Sequence, residues 1–529
     1  MSADFDVIIL GSGPAGVSAA FPLLQAGLRV LMVDGGQHVQ NVLPQDAYLA
    51  ARAGDAHQAD WMLGRDFHAL RNADALSPKM RVPIHSYVFE GFAAGNRIQA
   101  ENFIAVGSMA QGGLSNAWGC GVARLSDEEM HAFPFPREEL DVSYATVLRR
   151  IGISGAETDD DMTDYFGVDE WAQPAVEMDG LQSRLLRRYR SARKSLLASG
   201  LRMGRSRVAV LTRDMGSRQA CNLSGTCLWG CRRRALYSAV EDLALLKTHP
   251  DFHYRPGFVV DEVGEDDAVA SISGSDRSSR SRITAKRVVL AAGTLATTRL
   301  ALKAIRHEQP VSMQSCPTAA FLLWAPESLG RRRGNEYGLG QIAFALSLGD
   351  ATGFGSLFST TGIPMTEFVR YMPLCKRYGV DVLASLLSSC AVGNLFLPGR
   401  LTRASLSLGT GDELRVEGEY REELMPLMEE ARRRLRNGFL RLGAVLLPMS
   451  FTVGRPGGDI HYACSLPMKE RPVPGETSAD GRLAGLRRVH VVDGAALPVL
   501  PAKSHTLTLM ANADRIGGML ATRLRLSGA

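Results

Sequence analysis

An α/β fold that opens on a Rossmann-like unit is what the sequence predicts, and three features of its N-terminal stretch predict it. Val7-Ile8-Ile9-Leu10 is a continuous apolar run, as expected where a strand is buried on both faces of a parallel sheet. Gly11-Ser12-Gly13-Pro14-Ala15-Gly16 follows at once with G-x-G-x-x-G spacing, and Ala15 to Gln25 reads as a helix. A second apolar strand, Val30 to Val33, arrives at βαβ distance and ends on Asp34. In that context Gly11 permits the tight turn, and Gly13, with Pro14 and Ala15, lets the backbone approach a pyrophosphate at the helix N-terminus. Gly16 lets the helix lie close on the strand, and Asp34 can accept ribose hydroxyls of a dinucleotide. Pro22 is irregular: a proline inside a helix deletes a hydrogen bond and costs about 3 kcal/mol, so a kink or early helix end is expected there.

At 529 residues the chain has room for roughly two to four domains. Its apolar fraction of 45% excludes disorder, and its glycines show no collagen-like period. Sixty basic against 55 acidic residues leave a net charge of only +5, too dispersed to argue for nucleic acid. Eight cysteines in so long a chain do not make a secreted disulfide scaffold. Met1-Ser-Ala-Asp runs into the first strand with no basic n-region, signal-length apolar core or twin arginine, so a cytoplasmic location is expected, export with a partner subunit staying open.

Near the far end, Gly485-Leu-Arg-Arg-Val-His-Val-Val-Asp493-Gly494 reads as a strand ending in an acidic residue, and Ser504-His505-Thr506 begins a helix. His461-Tyr-Ala-Cys-Ser-Leu-Pro-Met468 stands upstream. In this order these blocks resemble those of the glucose-methanol-choline (GMC) oxidoreductases, FAD enzymes that oxidise alcohols and sugars. Cys464 stands where that family usually has glycine, Ala495 where it has serine, and Pro467 departs within the His461 element. The resemblance implies a discontinuous FAD-binding domain over 1–125, 200–303 and 451–529. It also implies an inserted α+β substrate domain, 126–199 and 304–450, built on an antiparallel sheet. Alternating stretches near 318–324, 341–348 and 403–408 fit strands of that sheet.

Two internal blocks agree. Gln111-Gly112-Gly113-Leu114-Ser115-Asn116-Ala117-Trp118-Gly119-Cys120 is similar to the family's glycine loop beneath the flavin ring, and its Trp and Cys ending resembles the pyranose-oxidase and bacterial sugar dehydrogenase branch. Ala117 stands where a histidine can carry a covalent flavin bond, so FAD is expected without a covalent link. Val288 to Gly293 resembles the strand that returns the chain to the flavin. By the same resemblance Gly293, Asp493, Gly494, His505 and Thr506 join the cofactor residues, His461 is the base that takes a hydroxyl proton, and His505 is its partner, with the order open to inversion. A neutral imidazole suits proton removal near pH 7.

Cys221, Cys227 and Cys231 form C-x5-C-x3-C. Three thiols fall short of a closed zinc site but match a [3Fe-4S] cluster, which some GMC dehydrogenases carry at a similar place; packed, metal-free thiols are the other reading. A cluster would imply an electron-accepting protein partner. Residues 411–447 read as one charged helical stretch whose arginines, 432 to 436, form a solvated face. Val382 to Pro398 holds no charge and is flanked by basic residues; buried structure is the main reading and peripheral membrane contact the other. The function expected is oxidation of a hydroxyl of a sugar or other alcohol. A flavin-dependent lyase or an electron-transfer flavoprotein on the same fold is the alternative.

Overall fold

The computed structural model describes residues 3–38, 78–157, 160–276, 279–329, 336–360 and 372–526, with the single residues 331 and 369. The first apolar run is the strand Phe5–Leu10, held between two parallel neighbours, Val30–Asp34 and the second half of Arg280–Leu290. Val7, Ile8, Ile9 and Val288 to Leu290 have no solvent exposure, which is why these stretches show no polar alternation. Phe252–Pro256 extends the sheet beyond Val30–Asp34. Arg280–Leu290 changes partner along its length: Arg280 to Ala285 pair antiparallel with Ala270–Ser275, and Val288 to Leu290 pair in parallel with Val489–Val491. Strands from the beginning, middle and end of the chain thus finish side by side.

The helix Pro14–Gln25 does not stop at Pro22. That residue stands in the last turn, where its missing N–H removes a single bond, while its carbonyl still accepts from Ala26. Its ring also fills the crossing with the last helix, Thr506–Leu526. A Cβ at Gly517 would lie 2.5 Å from the Ala19 carbonyl and 2.8 Å from Pro22 Cγ, so the two helices cross at the closeness only glycine allows.

A seven-stranded antiparallel sheet runs Val445–Leu446, Thr318–Trp324, Cys390–Phe396, Ala351–Ser359, Gly340–Leu348, Leu201–Arg205, with Thr452–Val453 beside Thr318–Trp324. Helices Gly180–Ala198 and Leu424–Arg441 cover one face through Leu186, Tyr189, Leu435 and Phe439. A five-stranded sheet, Tyr462–Ala463, Val311–Ser315, Thr402–Leu408, Leu414–Tyr420, Ile98–Glu101, links this unit to the parallel sheet.

Several boundaries differ from expectation. Thr318–Trp324 and Gly340–Leu348 are strands of the seven-stranded sheet, but Thr402–Leu408 belongs to the five-stranded one. Leu201–Arg205, within the stretch assigned to the FAD domain, is the edge strand of the antiparallel sheet, and Ile98–Glu101 of the N-terminal stretch pairs with Leu414–Tyr420. The charged stretch from 411 is not helical until Leu424, because alternate residues of Leu414–Tyr420 are buried in a strand. Arg432, Arg433 and Arg434 then pair with Glu429 and Glu430 on the solvent side. The charge-free stretch 382–398 is split: its start belongs to the helix Lys376–Leu386, and Cys390–Phe396 is an interior strand paired on both sides, so only the helix offers an apolar surface, through Tyr378, Val382 and Leu386. Among the described residues no helix is long and apolar enough to cross a membrane.

Arg207 ties Leu201–Arg205 to the loop before it. Its fully buried guanidinium donates to both oxygens of Asp169 at 2.6 Å, to Asp160 Oδ2 and the Arg205 carbonyl at 2.8 Å, and to Thr163 Oγ1 at 3.0 Å. Removing one partner of a buried ion pair leaves the other charge uncompensated. Arg207→Met is therefore expected to cost about 3–5 kcal/mol in denaturant unfolding, with Arg207→Lys recovering only part because a single ammonium cannot serve two carboxylates. A loss under about 1 kcal/mol would show that the cluster is not held together by charge.

Candidate active site

The turns that follow the parallel strands meet. Gly11 has φ +103°, and a Cβ there would stand 2.2 Å from the Ala291 carbonyl oxygen; a Cβ at Gly16 would stand 1.9 Å from the Gly11 carbonyl oxygen. Gly13 differs, since nothing lies within 4 Å of where its Cβ would be. It faces a cavity of about 440 Å³ that starts at this turn and at Asp34, passes Gly113 and Ala117, then Gly293 and Gly494, and reaches His461 and His505. Of the residues expected at the cofactor, only Gly16, Gly112 and Asn116 do not line it.

Those three serve as scaffold. The Gly112 N–H donates to Ser12 Oγ at 3.0 Å, joining the glycine loop to the first turn. Asn116 Nδ2 donates to the carbonyls of Gln111 and Gly113, and its Oδ1 accepts from Ser238. Ser115, although it lines the cavity, has its hydroxyl engaged with Gly112 O and Ala239 N. Asp34 accepts from Ser12, from Tyr254 at 2.7 Å and from the Gly36 N–H at 2.8 Å; burial pushes its carboxyl up and these donors oppose the shift.

Asp493 holds the C-terminal strand to the middle of the chain. Its Oδ2 accepts from Gly293 N at 2.9 Å and Thr297 Oγ1 at 2.5 Å, its Oδ1 from Ala495 N at 3.0 Å, and burial raises it to about 6. Gly293, at φ +86°, has open space at its Cβ position, so this turn offers bare backbone to the cavity. Two open glycine positions and an acidic residue at one end of a continuous cavity fit an extended dinucleotide.

The structure brings His461 and His505 together, with ring centroids 5.3 Å apart and planes nearly perpendicular. Burial pushes His461 down to about 4, and burial with the neighbouring imidazole pushes His505 down to about 3. His505 Nδ1 is buried with no hydrogen-bond partner, the condition of a group that awaits one from a ligand. Sequence reading missed Asp459. Its Oδ2 lies 3.6 Å from His461 Nδ1 and accepts the N–H groups of Cys316 at 2.8 Å and His461 at 3.1 Å. The Asp-x-His spacing was visible; that the carboxyl turns inward was not. Between the two, Ile460 has φ +63°, an outlier for a β-branched residue, and Cys464 has φ +68°, which accounts for the glycine usual at its place.

Cys221, Cys227 and Cys231 lie off the cavity, although Leu228 lines it. They border a buried apolar cluster that includes Val208, Leu228, Trp229 and Tyr237, and burial raises the Cys221 and Cys227 thiols. Leu223 N and Gly338 N donate to Cys221 Sγ and Cys227 Sγ, both at 3.4 Å. Among the described residues, the one His, Cys, Asp and Glu set whose ligand atoms all fall within 4.8 Å of one another is Cys316, Asp459 and His461, so the three loop thiols as placed do not enclose a single ion.

A sequence profile of the pyridine nucleotide-disulphide oxidoreductases matches residues 5–106. No curated protein matches the chain in sequence. Among solved structures, pyridoxine 4-oxidase from Mesorbium loti is similar over 98% of this chain and 99% of its own, with TM-score 0.61 and 15% identity. Formate oxidase from Aspergillus oryzae RIB40, in lysine and alanine variants at one arginine made to follow FAD modification, is similar over 99% of both chains, with TM-scores of 0.60 and 0.61 and 11% identity. The chain shares one fold with these two oxidases. That fold is the one its ordered sequence blocks predict, reached at an identity where only architecture is shared.

The glycines give a test of the cavity. Gly13→Ala places its methyl in open space and Gly16→Ala places it inside a carbonyl oxygen. The expected result is that Gly13→Ala keeps the thermal transition of the cofactor-free protein yet loses the upward shift on adding FAD, whereas Gly16→Ala lowers the transition itself. An unchanged FAD shift in Gly13→Ala would place the dinucleotide elsewhere.

Proposed function

We propose that this chain is an FAD-dependent oxidoreductase that converts a hydroxyl of a sugar or other alcohol to a carbonyl, with the flavin held noncovalently. The observation that carries the reading is the pair of neutral imidazoles, one with an orphaned nitrogen, at the far end of a cavity that starts on a dinucleotide-type turn. FAD bound along that cavity would supply the acceptor for the hydrogen that leaves the substrate carbon as hydride.

The chain's own residues handle the proton. Asp459 Oδ2 already accepts two backbone N–H groups, so it is the unprotonated oxygen of the carboxyl, and His461 Nδ1 facing it carries the ring hydrogen. Nε2 therefore keeps its lone pair for the substrate hydroxyl, and Asp459, whose carboxyl burial pushes well above the usual range, faces the ring with an acceptor oxygen. His505 holds the substrate oxygen from the other side, which pairs its orphaned nitrogen. Ala117 at the cavity wall offers no nucleophile for a flavin linkage, which supports noncovalent FAD.

The proposal extends to electron exit. Cys221, Cys227 and Cys231 are the residues that would hold a three-iron centre, and the chemistry it would supply is electron transfer to a protein acceptor, a reading that rests on their C-x5-C-x3-C spacing. Iron and sulfide analysis of anaerobically purified protein is expected to give about three irons per chain; protein without iron would leave the thiols as packing.

Protonation of His461 removes the base, and burial places that event at about 4. With FAD-loaded protein the rate of flavin reduction is therefore expected to stay level from about pH 5.5 to 8 and to fall on the acid side towards 4, whereas a break near 6.5 would describe a solvated imidazole. His461→Ala should lower that rate by about 10²–10⁴-fold with FAD still bound. An unchanged rate with an artificial acceptor would sink the mechanism.

A further inference from the structure

The wall beside the imidazoles is one face of the antiparallel sheet, and its pleat is locked. Phe354, Ser356 and Phe358 of one strand and Val392, Asn394 and Phe396 of its neighbour line the cavity. The intervening residues point to the helical side, where a Cβ at Gly355 would stand 2.2 Å from the Phe344 ring and a Cβ at Gly393 would stand 2.2 Å from the Phe321 ring. A register slip that exchanged the two faces is sterically closed.

Phe396 meets His461 edge-on, with centroids 5.1 Å apart, and Phe354 is stacked on Tyr165 at 5.6 Å, so rings stand beside the base and are themselves braced. The sheet wall carries no charged side chain. Its polar residues are Thr318, Ser356 and Asn394, of which Asn394 Oδ1 is engaged by the Ser356 N–H at 2.7 Å, and Ser206 Oγ, just past the edge strand, is a lone unpaired hydroxyl among the lining residues. Arg207 lines the cavity with every guanidinium nitrogen bonded to Asp160, Asp169 and their neighbours, and the Lys79 ammonium donates to the Trp118 carbonyl beside the glycine loop. A sugar brings several hydroxyls to the reacting carbon's surroundings, and buried without partners each one disfavours binding. A flat apolar group instead finds offset and edge-on ring contacts.

We infer that the substrate is an uncharged alcohol whose carbinol carbon is attached to an aromatic ring or a comparably flat apolar group, and that it is not a sugar. The inference rests on His461 marking the reacting end of the cavity.

The test uses full-length, FAD-loaded protein under anaerobic conditions, with 4-methoxybenzyl alcohol and glucose as paired probes of flavin bleaching. The aryl alcohol is expected to bleach the flavin with an apparent second-order constant at least about 100-fold above that of glucose; equal or faster bleaching by glucose overturns the inference. Binding is read separately from oxidation through perturbation of the flavin spectrum by anisole and by 1,5-anhydroglucitol, which lacks the anomeric hydroxyl. Perturbation by anisole alone, even where no alcohol bleaches the flavin, sustains the apolar pocket while the oxidation reading fails. Tighter binding of the anhydro-sugar removes the inference in either case. Phe358→Ser should weaken anisole binding about tenfold at unchanged FAD occupancy, and Phe358→Leu, which keeps volume without the ring, gives the same direction if the serine variant does not fold.

Discussion

The structure depends on one steric constraint: three parallel strands from the start, middle and end of the chain must finish level, and the turns after them must touch. Leu10, Leu290 and Val491 are in register, and the chain immediately beyond them contains Gly11, Gly293 and Asp493. Side chains on the first turn would force it off its neighbours, because the Ala291 carbonyl oxygen occupies the position of a Gly11 Cβ and the Gly11 carbonyl oxygen that of a Gly16 Cβ. Asp493 then closes the third junction with three donors around a buried carboxyl. Bare backbone is left facing one cavity, and the segment after Asp493 is delivered to the place where His505 must stand.

The second imidazole is fixed by a strained segment clamped on both sides. Non-glycine residues in the left-handed region cost of order 1–3 kcal/mol each, and Ile460 and Cys464 both adopt it. The conformation persists because Asp459 bonds Cys316 N beyond the end of Val311–Ser315, while Cys464, Leu466 and Met468 donate to the carbonyls of Gly494, Ala495 and Ala496. His461 is therefore referenced to the same C-terminal segment that carries Asp493. If His461 is the base, as proposed, a ring held this firmly would lose little freedom when the substrate arrives, which is how orientation lowers a barrier.

What the sequence disclosed follows from what is local. The βαβ turn, the Val288 strand and the blocks around His461 and His505 are contiguous motifs whose geometry is fixed within a few residues, and all lie where the cavity runs. Alternation identified Thr402–Leu408 as a strand, yet period two reports which residues share a face and not which strand is the partner, so its sheet was misplaced. Leu201–Arg205 escaped for the same reason, since its partner Gly340–Leu348 lies far along the chain. The helical reading from 411 failed because Leu-Arg-Val-Glu-Gly-Glu-Tyr alternates, a pattern that charge density masked. Asp459 and the phenylalanine wall were unreadable as site residues because their meaning is positional: an inward carboxyl and one face of a pleat.

The disposition of charge around the cavity bears on how such a site would work. Its basic groups are answered by protein partners: Arg207 sits between two aspartates, and Lys79 donates to a carbonyl. The wall beside His461 is aromatic, so the medium there responds weakly to charge and magnifies whatever fixed dipoles it contains. On the proposed mechanism, proton transfer to His461 would create one positive charge in that medium, and Asp459, whose carboxyl burial pushes well above the usual range, is the group that faces the ring. The same low polarity keeps the free imidazole neutral and leaves it able to accept the proton. On the proposed reading burial would ready His461 as a neutral base, Asp459, whose own carboxyl burial pushes well above the usual range, would fix the ring through its acceptor oxygen, and the apolar wall would select the molecule that delivers the proton.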